Sequence, residues 1–200
     1  MKLKTAIIAF PGTTGANDLK KACDYFEWEA DIIWHKDNFI KKYDIIFLPS
    51  GLPFGEFEFS KEDLCLKSSI LNKLPIGKTL IVGLSDGFKI LCEIGLLNGQ
   101  LNFNFEKKLY SGIKEFSFLD NPVNLSVATY CGNFLKGQNF SNDIILRYKN
   151  NQYVSENQIA GIFDYENKVI GMIASPELAV LPQLKHFDGR KVFEFFKNVI

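Results

Sequence analysis

The chain has 200 residues, of which 46% are apolar and 23% charged, and its 23 basic and 23 acidic side chains give a formal net charge of zero. This length is sufficient for a sizeable core, and we expect a single domain over residues 1–200. The balanced charge leaves no basic surface typical of nucleic-acid or membrane binding. The apolar part of residues 1–10 is too short for a spanning helix and is followed by no small-residue cleavage site. We therefore expect a cytoplasmic protein with neither a nucleic-acid nor a membrane partner.

The metal-ligating residue types are few and scattered. The two histidines are His35 and His186, and the four cysteines show no C-x-x-C spacing: Cys23, Cys65, Cys92 and Cys131. A zinc site needs clustered ligands, so we expect no metal and no cofactor. Reduced thiols, most of them in the core, are the ordinary state of such cysteines in the cytoplasm.

The first half of the chain alternates strand-like and helix-like patterns. Short β-branched runs predict strands, and apolar residues at helical spacing predict helices beginning at Asn17 and at a Ser60/Asp63 capping box, the latter continuing to Leu71. The expected strands are Lys4–Phe10, Ala30–Trp34, Tyr43–Leu48 and Thr79–Leu84. This alternation predicts an α/β fold, in which a mostly parallel sheet is covered by helices on both faces. Ligands of such sheets bind at the carboxyl ends of the strands.

After Gly99 the pattern changes to shorter alternating segments, which predict antiparallel or mixed strands extending the same sheet. These lie around residues 101–105 and 123–127, over Asp143–Tyr148 and Ile159–Phe163, and over Lys168–Ala174 after a turn at residues 165–168. Asp188 is expected to cap a final helix.

One stretch stands out as a candidate catalytic element. Gly83-Leu84-Ser85-Asp86-Gly87 joins a predicted strand to a predicted helix and has the G-x-S-x-G spacing of a nucleophile elbow. A side chain held at such a sharp turn needs neighbours without Cβ atoms, and the helix directs its first N–H groups at whatever forms beside the nucleophile. Many strand-to-helix turns carry two glycines for packing alone, so the motif by itself leaves both readings open.

Taken in order, these segments resemble the class I (triad) glutamine amidotransferases, and among them the glutaminase subunit of phosphoribosylformylglycinamidine synthase of purine biosynthesis. The similarity extends over nearly the whole chain. It covers residues 9–12, Trp34-His35, the loop at residues 48–55, the elbow and following helix within Gly83 to Gly99, the motifs at 159–162, 169–172 and 176–177, and Asp188-Gly189 with the last helix. The resemblance implies the flavodoxin-like fold of that family, with the 48–55 loop and Ser85 at its active site.

The same resemblance assigns the site residues and shows where this chain departs from the pattern. Ser85 stands at the nucleophile position, where the family has cysteine, and Ser175 at the general-base position, where it has histidine. Only the triad acid remains, as Glu177. The oxyanion hole is assigned to the backbone N–H groups of Gly51 and Asp86, although the family has asparagine after its nucleophile. The family's His-Gly-Glu-Gly-Asn loop is here residues 129–133, Thr-Tyr-Cys-Gly-Asn.

These replacements suggest that glutamine hydrolysis has been lost. A serine hydroxyl ionises far less readily than a cysteine thiol and needs a general base, which a second hydroxyl cannot provide. The first hypothesis is thus a pseudoenzyme that docks on the large synthetase subunit, together with a small accessory subunit, and that retains glutamine as a candidate ligand.

Two enzymatic hypotheses remain beside it. One is an active hydrolase with Ser85 as nucleophile, since related folds include Ser-His-Glu peptidases, with His35 or His186 as the required histidine. The other is glutamine hydrolysis by an unusual route.

Overall fold

The computed structural model describes residues 2–37, 42–52, 60–104, 108–150, 155–184 and 186–200. Within these ranges one large sheet has the strand order β2-β1-β3-β4-β11-β10-β9-β6-β7, and β5 pairs with β8 in a separate two-stranded sheet. The strands are β1 Lys4–Ala9, β2 Glu29–Trp34, β3 Ile45–Leu48, β4 Leu80–Leu84, β5 Gly99–Asn102, β6 Tyr110–Phe118, β7 Asn121–Thr129, β8 Asn133–Lys136, β9 Asp143–Tyr148, β10 Ile159–Asp164 and β11 Val169–Met172. The helices are α1 Ala16–Tyr25, α2 Lys61–Lys67, α3 Asp86–Glu93 and α4 Gly189–Asn198.

The predicted α/β fold is confirmed. Strands β2, β1, β3, β4 and β11 all pair in parallel. Every residue of β3 and β4 is buried, as expected for strands covered on both faces. On one face Phe47 of β3 packs against Phe193 and Phe196 of α4, with ring centroids 6.1 and 6.0 Å apart. Its neighbour Leu48 points to the other face, where α3 begins.

The rest of the large sheet is antiparallel. The turn predicted at residues 165–168 joins β10 to β11 as a hairpin, and β9, β6 and β7 follow with antiparallel pairing. The C-terminal ends of β3, β4 and β7 therefore lie close together. The candidate site is in this region.

Several local expectations are corrected. The segment near residue 101 does not extend the large sheet, because β5 pairs only with β8 among the described residues. The second helix ends at Lys67 instead of continuing to Leu71, which lies in a separate 3-10 turn. The first helix begins at Ala16 after a Gly15 cap. Strand β6 was not predicted at all, because only Phe116 and Phe118, near its end, alternate as buried apolar residues.

Of the two helix caps predicted from the sequence, the one at Ser60 is present and the one at Asp188 is not. Ser60 Oγ accepts from the Asp63 N–H at 3.1 Å, as the capping box requires. Asp188 occupies the N-cap position of α4 but makes no side-chain cap. Its carboxylate instead accepts from the Asn124 N–H at 2.8 Å and pairs with Lys191 at 2.9 Å. Among the described residues, none of the helices is long and apolar enough to span a membrane.

Candidate functional site at the nucleophile elbow

Ser85 lies at a strained turn between β4 and α3. Its backbone has φ 53° and ψ −112°, a region that non-glycine residues rarely occupy and that is typical of functional positions. Both flanking glycines are needed for close packing. A Cβ on Gly83 would lie 2.5 Å from the Gly87 carbonyl oxygen, and one on Gly87 would overlap the Leu48 carbonyl oxygen. The elbow geometry predicted from the spacing is therefore present.

The Ser85 hydroxyl is buried, with 1% of the residue exposed. Its oxygen lies 3.4 Å from Asp86 Oδ2 and 3.5 Å from the Ala128 carbonyl oxygen, both long for O–H···O hydrogen bonds. Both neighbours are acceptors, so the hydroxyl can donate its proton to either. Neither neighbour is an imidazole.

Asp86 turns its carboxylate toward the backbone amide assigned to the oxyanion hole. Asp86 Oδ2 accepts from the Gly51 N–H at 3.4 Å, so an acidic side chain takes one of the two predicted donors. Burial raises the pKa of Asp86 to about 6, opposed by hydrogen bonds from the Gly51 and Asp86 amides, by the charge of Lys89 and by the Ser85 hydroxyl. At neutral pH most of the Asp86 side chains therefore carry a negative charge beside the Gly51 amide.

Ser175 and Glu177 lie on the segment that follows β11. The Ser175 N–H donates to the Ser126 carbonyl of β7 at 2.9 Å, and Glu177 belongs to the 3-10 turn Pro176–Ala179. Glu177 is 2% exposed, and neither carboxyl oxygen has a hydrogen-bond partner of acceptable geometry among the described residues.

The environment of Glu177 strongly favours its neutral form. Burial raises its pKa to about 8, and the negative charge of Asp18 acts in the same direction. The Glu177 amide and the nearby Ser175 hydroxyl oppose the rise without cancelling it. The carboxyl group is thus mostly protonated at neutral pH.

Four of the five predicted site residues line one cavity of about 350 Å³: Gly51, Asp86, Ser175 and Glu177. Ser85 lies against it through its contacts with Asp86 and Ala128. The residues at positions 53–55 of the predicted oxyanion loop fall outside the described part of the chain. The structure therefore brings the predicted residues together, whereas their chemical roles remain predictions.

The start of α1 contributes to the same cavity, which the sequence did not indicate. Gly15 and Asp18 line it, and a Cβ on Gly15 would lie 3.5 Å from Glu177 Oε1. Asp18 was not singled out because an acid in the first turn of a helix is common for electrostatic reasons alone. The position of Asp18 at the cavity follows from the packing of the 3-10 turn Pro176–Ala179 against α1.

Neither histidine lines the cavity. His35 is buried beside the Phe10 and Trp34 rings, with centroid distances of 5.5 and 4.7 Å, and burial lowers its pKa. His186 Nε2 lies 3.3 Å from Ser126 Oγ. Among the described residues, no three His, Cys, Asp or Glu side chains come close enough together to hold a metal ion.

No protein-family model matches the chain. Among solved structures it is similar to PurLQS from Thermotoga maritima, with 25% identity, 99% of each chain covered and a TM-score of 0.85. It is also similar to a candidate GMP synthase subunit from Thermoplasma acidophilum, with 11% identity, 100% of this chain and 94% of that chain covered and a TM-score of 0.71. A glutamine amidotransferase from Thermotoga maritima matches with 12% identity, 100% and 95% coverage and a TM-score of 0.59. The chain therefore has the α/β fold of the glutamine amidotransferases.

Proposed function

We propose that this chain is a glutaminase-type subunit of a phosphoribosylformylglycinamidine synthase that no longer hydrolyses glutamine. It acts as the structural partner of the large synthetase subunit, with a small accessory subunit, and the complex uses free ammonia in the cytoplasm. The likeness to PurLQS over 99% of both chains supports the assembly. The loss of hydrolysis is inferred from the surroundings of Ser85. The groups within hydrogen-bond range of its hydroxyl are the Asp86 carboxylate and the Ala128 carbonyl, and neither is an imidazole.

The chemistry of glutamine hydrolysis explains why these surroundings matter. Covalent catalysis needs an activated nucleophile, a general base and a site for the oxyanion. The Ser175 hydroxyl cannot act as a base at neutral pH. Glu177 has no imidazole beside it to orient, and its raised pKa leaves it mostly protonated.

Asp86 adds an electrostatic obstacle. An oxyanion bound to the Gly51 amide would lie roughly 5 Å from the Asp86 carboxylate, because that carboxylate is itself 3.4 Å from the same nitrogen. At an effective dielectric constant of about 20 the repulsion is about 3 kcal/mol. This corresponds to a rate reduction of roughly a hundredfold.

The test is assembly together with glutaminase activity. After co-expression with the synthetase subunit, the chain is passed through size-exclusion chromatography, and glutamate release is measured with and without the partner and ATP. We expect a stable complex at micromolar concentrations and no glutamate release. Absence of a complex would remove the basis for the structural role, and glutamate release above the rate of a Ser85→Ala control would refute the loss of activity.

A specific observation favours one alternative, an active hydrolase that uses Ser85. The strained backbone at Ser85 is typical of functional residues, and Asp86, with its pKa raised to about 6, is a carboxylate within reach of the hydroxyl. A fluorophosphonate probe tests this alternative, since an activated serine is phosphonylated and an inert one is not. Labelling of the native protein that disappears in both Ser85→Ala and Asp86→Asn would establish it.

A further inference from the structure

A groove of about 370 Å³ lies at the opposite end of the sheet from the candidate site. It is beside the first residues of β3 and β4, which run parallel to each other. Three segments form it: the residues around the start of β3, the 3-10 turn Leu71–Lys73 with the loop after it, and the residues that lead into β4. Its volume suits a small organic molecule.

Positive charge predominates in this groove, although the whole chain has a formal net charge of zero. Lys42, Lys73 and Lys78 line it, one from each segment, and Asp44 is the single acidic residue among its described lining residues. The Asp44 carboxylate accepts from the Lys4 N–H at 2.8 Å. Within the described ranges, the side chains of Lys42 and Lys78 have no ion-pair or hydrogen-bond partner. The groove therefore presents more ammonium groups than its own carboxylate can neutralise.

The groove also has apolar lining that is held in place by hydrogen bonds. Tyr43, Ile46 and Pro75 contribute this surface, and Ile46 is fully buried in the core. The Tyr43 phenol donates to Asp31 Oδ2 at 3.0 Å, and its carbonyl accepts from the Thr79 hydroxyl at 3.0 Å. An organic group would thus meet a surface that is ordered before binding, which lowers the entropic cost of the complex.

We propose that this groove binds a small phosphomonoester, whose phosphate group lies between the three lysines and whose organic group lies against Tyr43, Ile46 and Pro75. A phosphate dianion carries three acceptor oxygens, and an ammonium group has donors only, so one phosphate can meet all three lysines. Three ammonium groups with a single carboxylate favour a dianion over a monoanion. This inference goes beyond the proposed function, because it depends on the groove alone and not on the site around Ser85 or on any synthetase.

Calorimetric titration with phenyl phosphate in a phosphate-free buffer tests the proposal. At about pH 7.5 this ligand is mainly a dianion, because the second pKa of a phosphomonoester is about 6. Phenyl sulfate is a monoanion of similar shape, inorganic phosphate lacks the organic group, and phenol lacks the charge. We expect saturable binding of phenyl phosphate, binding of phenyl sulfate and inorganic phosphate weaker by about fivefold or more, and no saturable binding of phenol.

The salt dependence gives a second readout on the same samples. The affinity for phenyl phosphate should fall as sodium chloride is raised, since interactions between exposed charges are screened. Phenyl sulfate or inorganic phosphate binding as tightly as phenyl phosphate would overturn the proposal. So would an affinity that does not change with salt, or the absence of saturable binding.

Variants locate the site. Lys42→Gln and Lys78→Gln each remove one ammonium group and should weaken phenyl phosphate binding by about fivefold, and the double variant by more. Lys20→Gln, at an exposed position on α1 that does not line the groove, should leave it unchanged. Circular dichroism of each variant checks that it is folded. Unchanged binding by the folded double variant would overturn the assignment, and the ligand and salt series on the unmodified chain test the proposal without any variant.

Discussion

Glu177 makes the stability of the protein depend on pH in a direction that can be calculated. Its ordinary pKa is 4.5, and burial raises it to about 8 in the folded chain. Between these two values the folded state holds a proton that the unfolded state has released. The free energy of unfolding therefore falls as pH rises through this window, and the loss is complete above pH 8. At about 1.4 kcal/mol per pH unit, the full effect is about 5 kcal/mol.

The substitution Glu177→Gln removes this ionisation and keeps the shape of the side chain. The buried amide has its own unsatisfied hydrogen bonds, which cost about 1–3 kcal/mol irrespective of pH. The informative quantity is therefore the change with pH in the stability difference between variant and parent. We expect the variant to gain about 2–4 kcal/mol relative to the parent from pH 5 to pH 9, the lower value allowing for water entry around the charge.

Urea unfolding followed by circular dichroism at pH 5 and pH 9 measures this difference. The exposed Glu29→Gln serves as the matched control and should show no comparable gain. If the stability difference between Glu177→Gln and the parent is the same at both pH values, Glu177 is not held protonated by burial. The reasoning about its environment would then be refuted.

Three further outcomes are expected. Gly87→Ala should destabilise the protein by more than about 3 kcal/mol, because the added Cβ would overlap a backbone carbonyl oxygen of β3. Gly95 has a φ of 78° and open space around the position of a Cβ, so Gly95→Ala should cost only about 1–2 kcal/mol. Chemical denaturation of the two variants measures the difference. Glutaminase activity in the reconstituted complex should require Ser85→Cys and Ser175→His together, since nucleophile and base act as a unit; appreciable glutamate release by either single variant would contradict this. In the native protein iodoacetamide should modify Cys65 first, because the other three cysteines are buried. Equal modification of all four cysteines by mass spectrometry would contradict the burial of those three.

The parallel half of the sheet could be predicted because its strands carry strong local signals. Runs such as Ile45–Leu48 and Leu80–Leu84 are continuously apolar and end at glycine or proline turns. The elbow was predictable for a related reason, since crowding around Ser85 leaves little choice but glycine on either side. Both features are determined by residues that are close together in the sequence.

The remainder depends on contacts between distant parts of the chain. Most residues of β6 are exposed or only partly buried, and its strand character comes from pairing with β7 and β9, so its own residues give little pattern. Likewise, β5 and β8 lie outside the large sheet because they pair with each other, which the pattern of either strand does not indicate. The contact of the Asp86 carboxylate with the Gly51 amide could not be predicted either, because it requires the folded loop. The burial of Glu177 and the position of Asp18 at the cavity emerge only when the 3-10 turn packs against α1.

The most direct test of the proposed function is the nitrogen source used by the reconstituted synthase. The reaction mixture contains this chain, the large synthetase subunit, the small accessory subunit, ATP and the phosphoribosylformylglycinamide substrate, and product formation is compared with ammonium chloride or glutamine as nitrogen donor. The site around Ser85 predicts product with ammonium and none with glutamine above a Ser85→Ala background. Product formation from glutamine that depends on Ser85 would contradict the account.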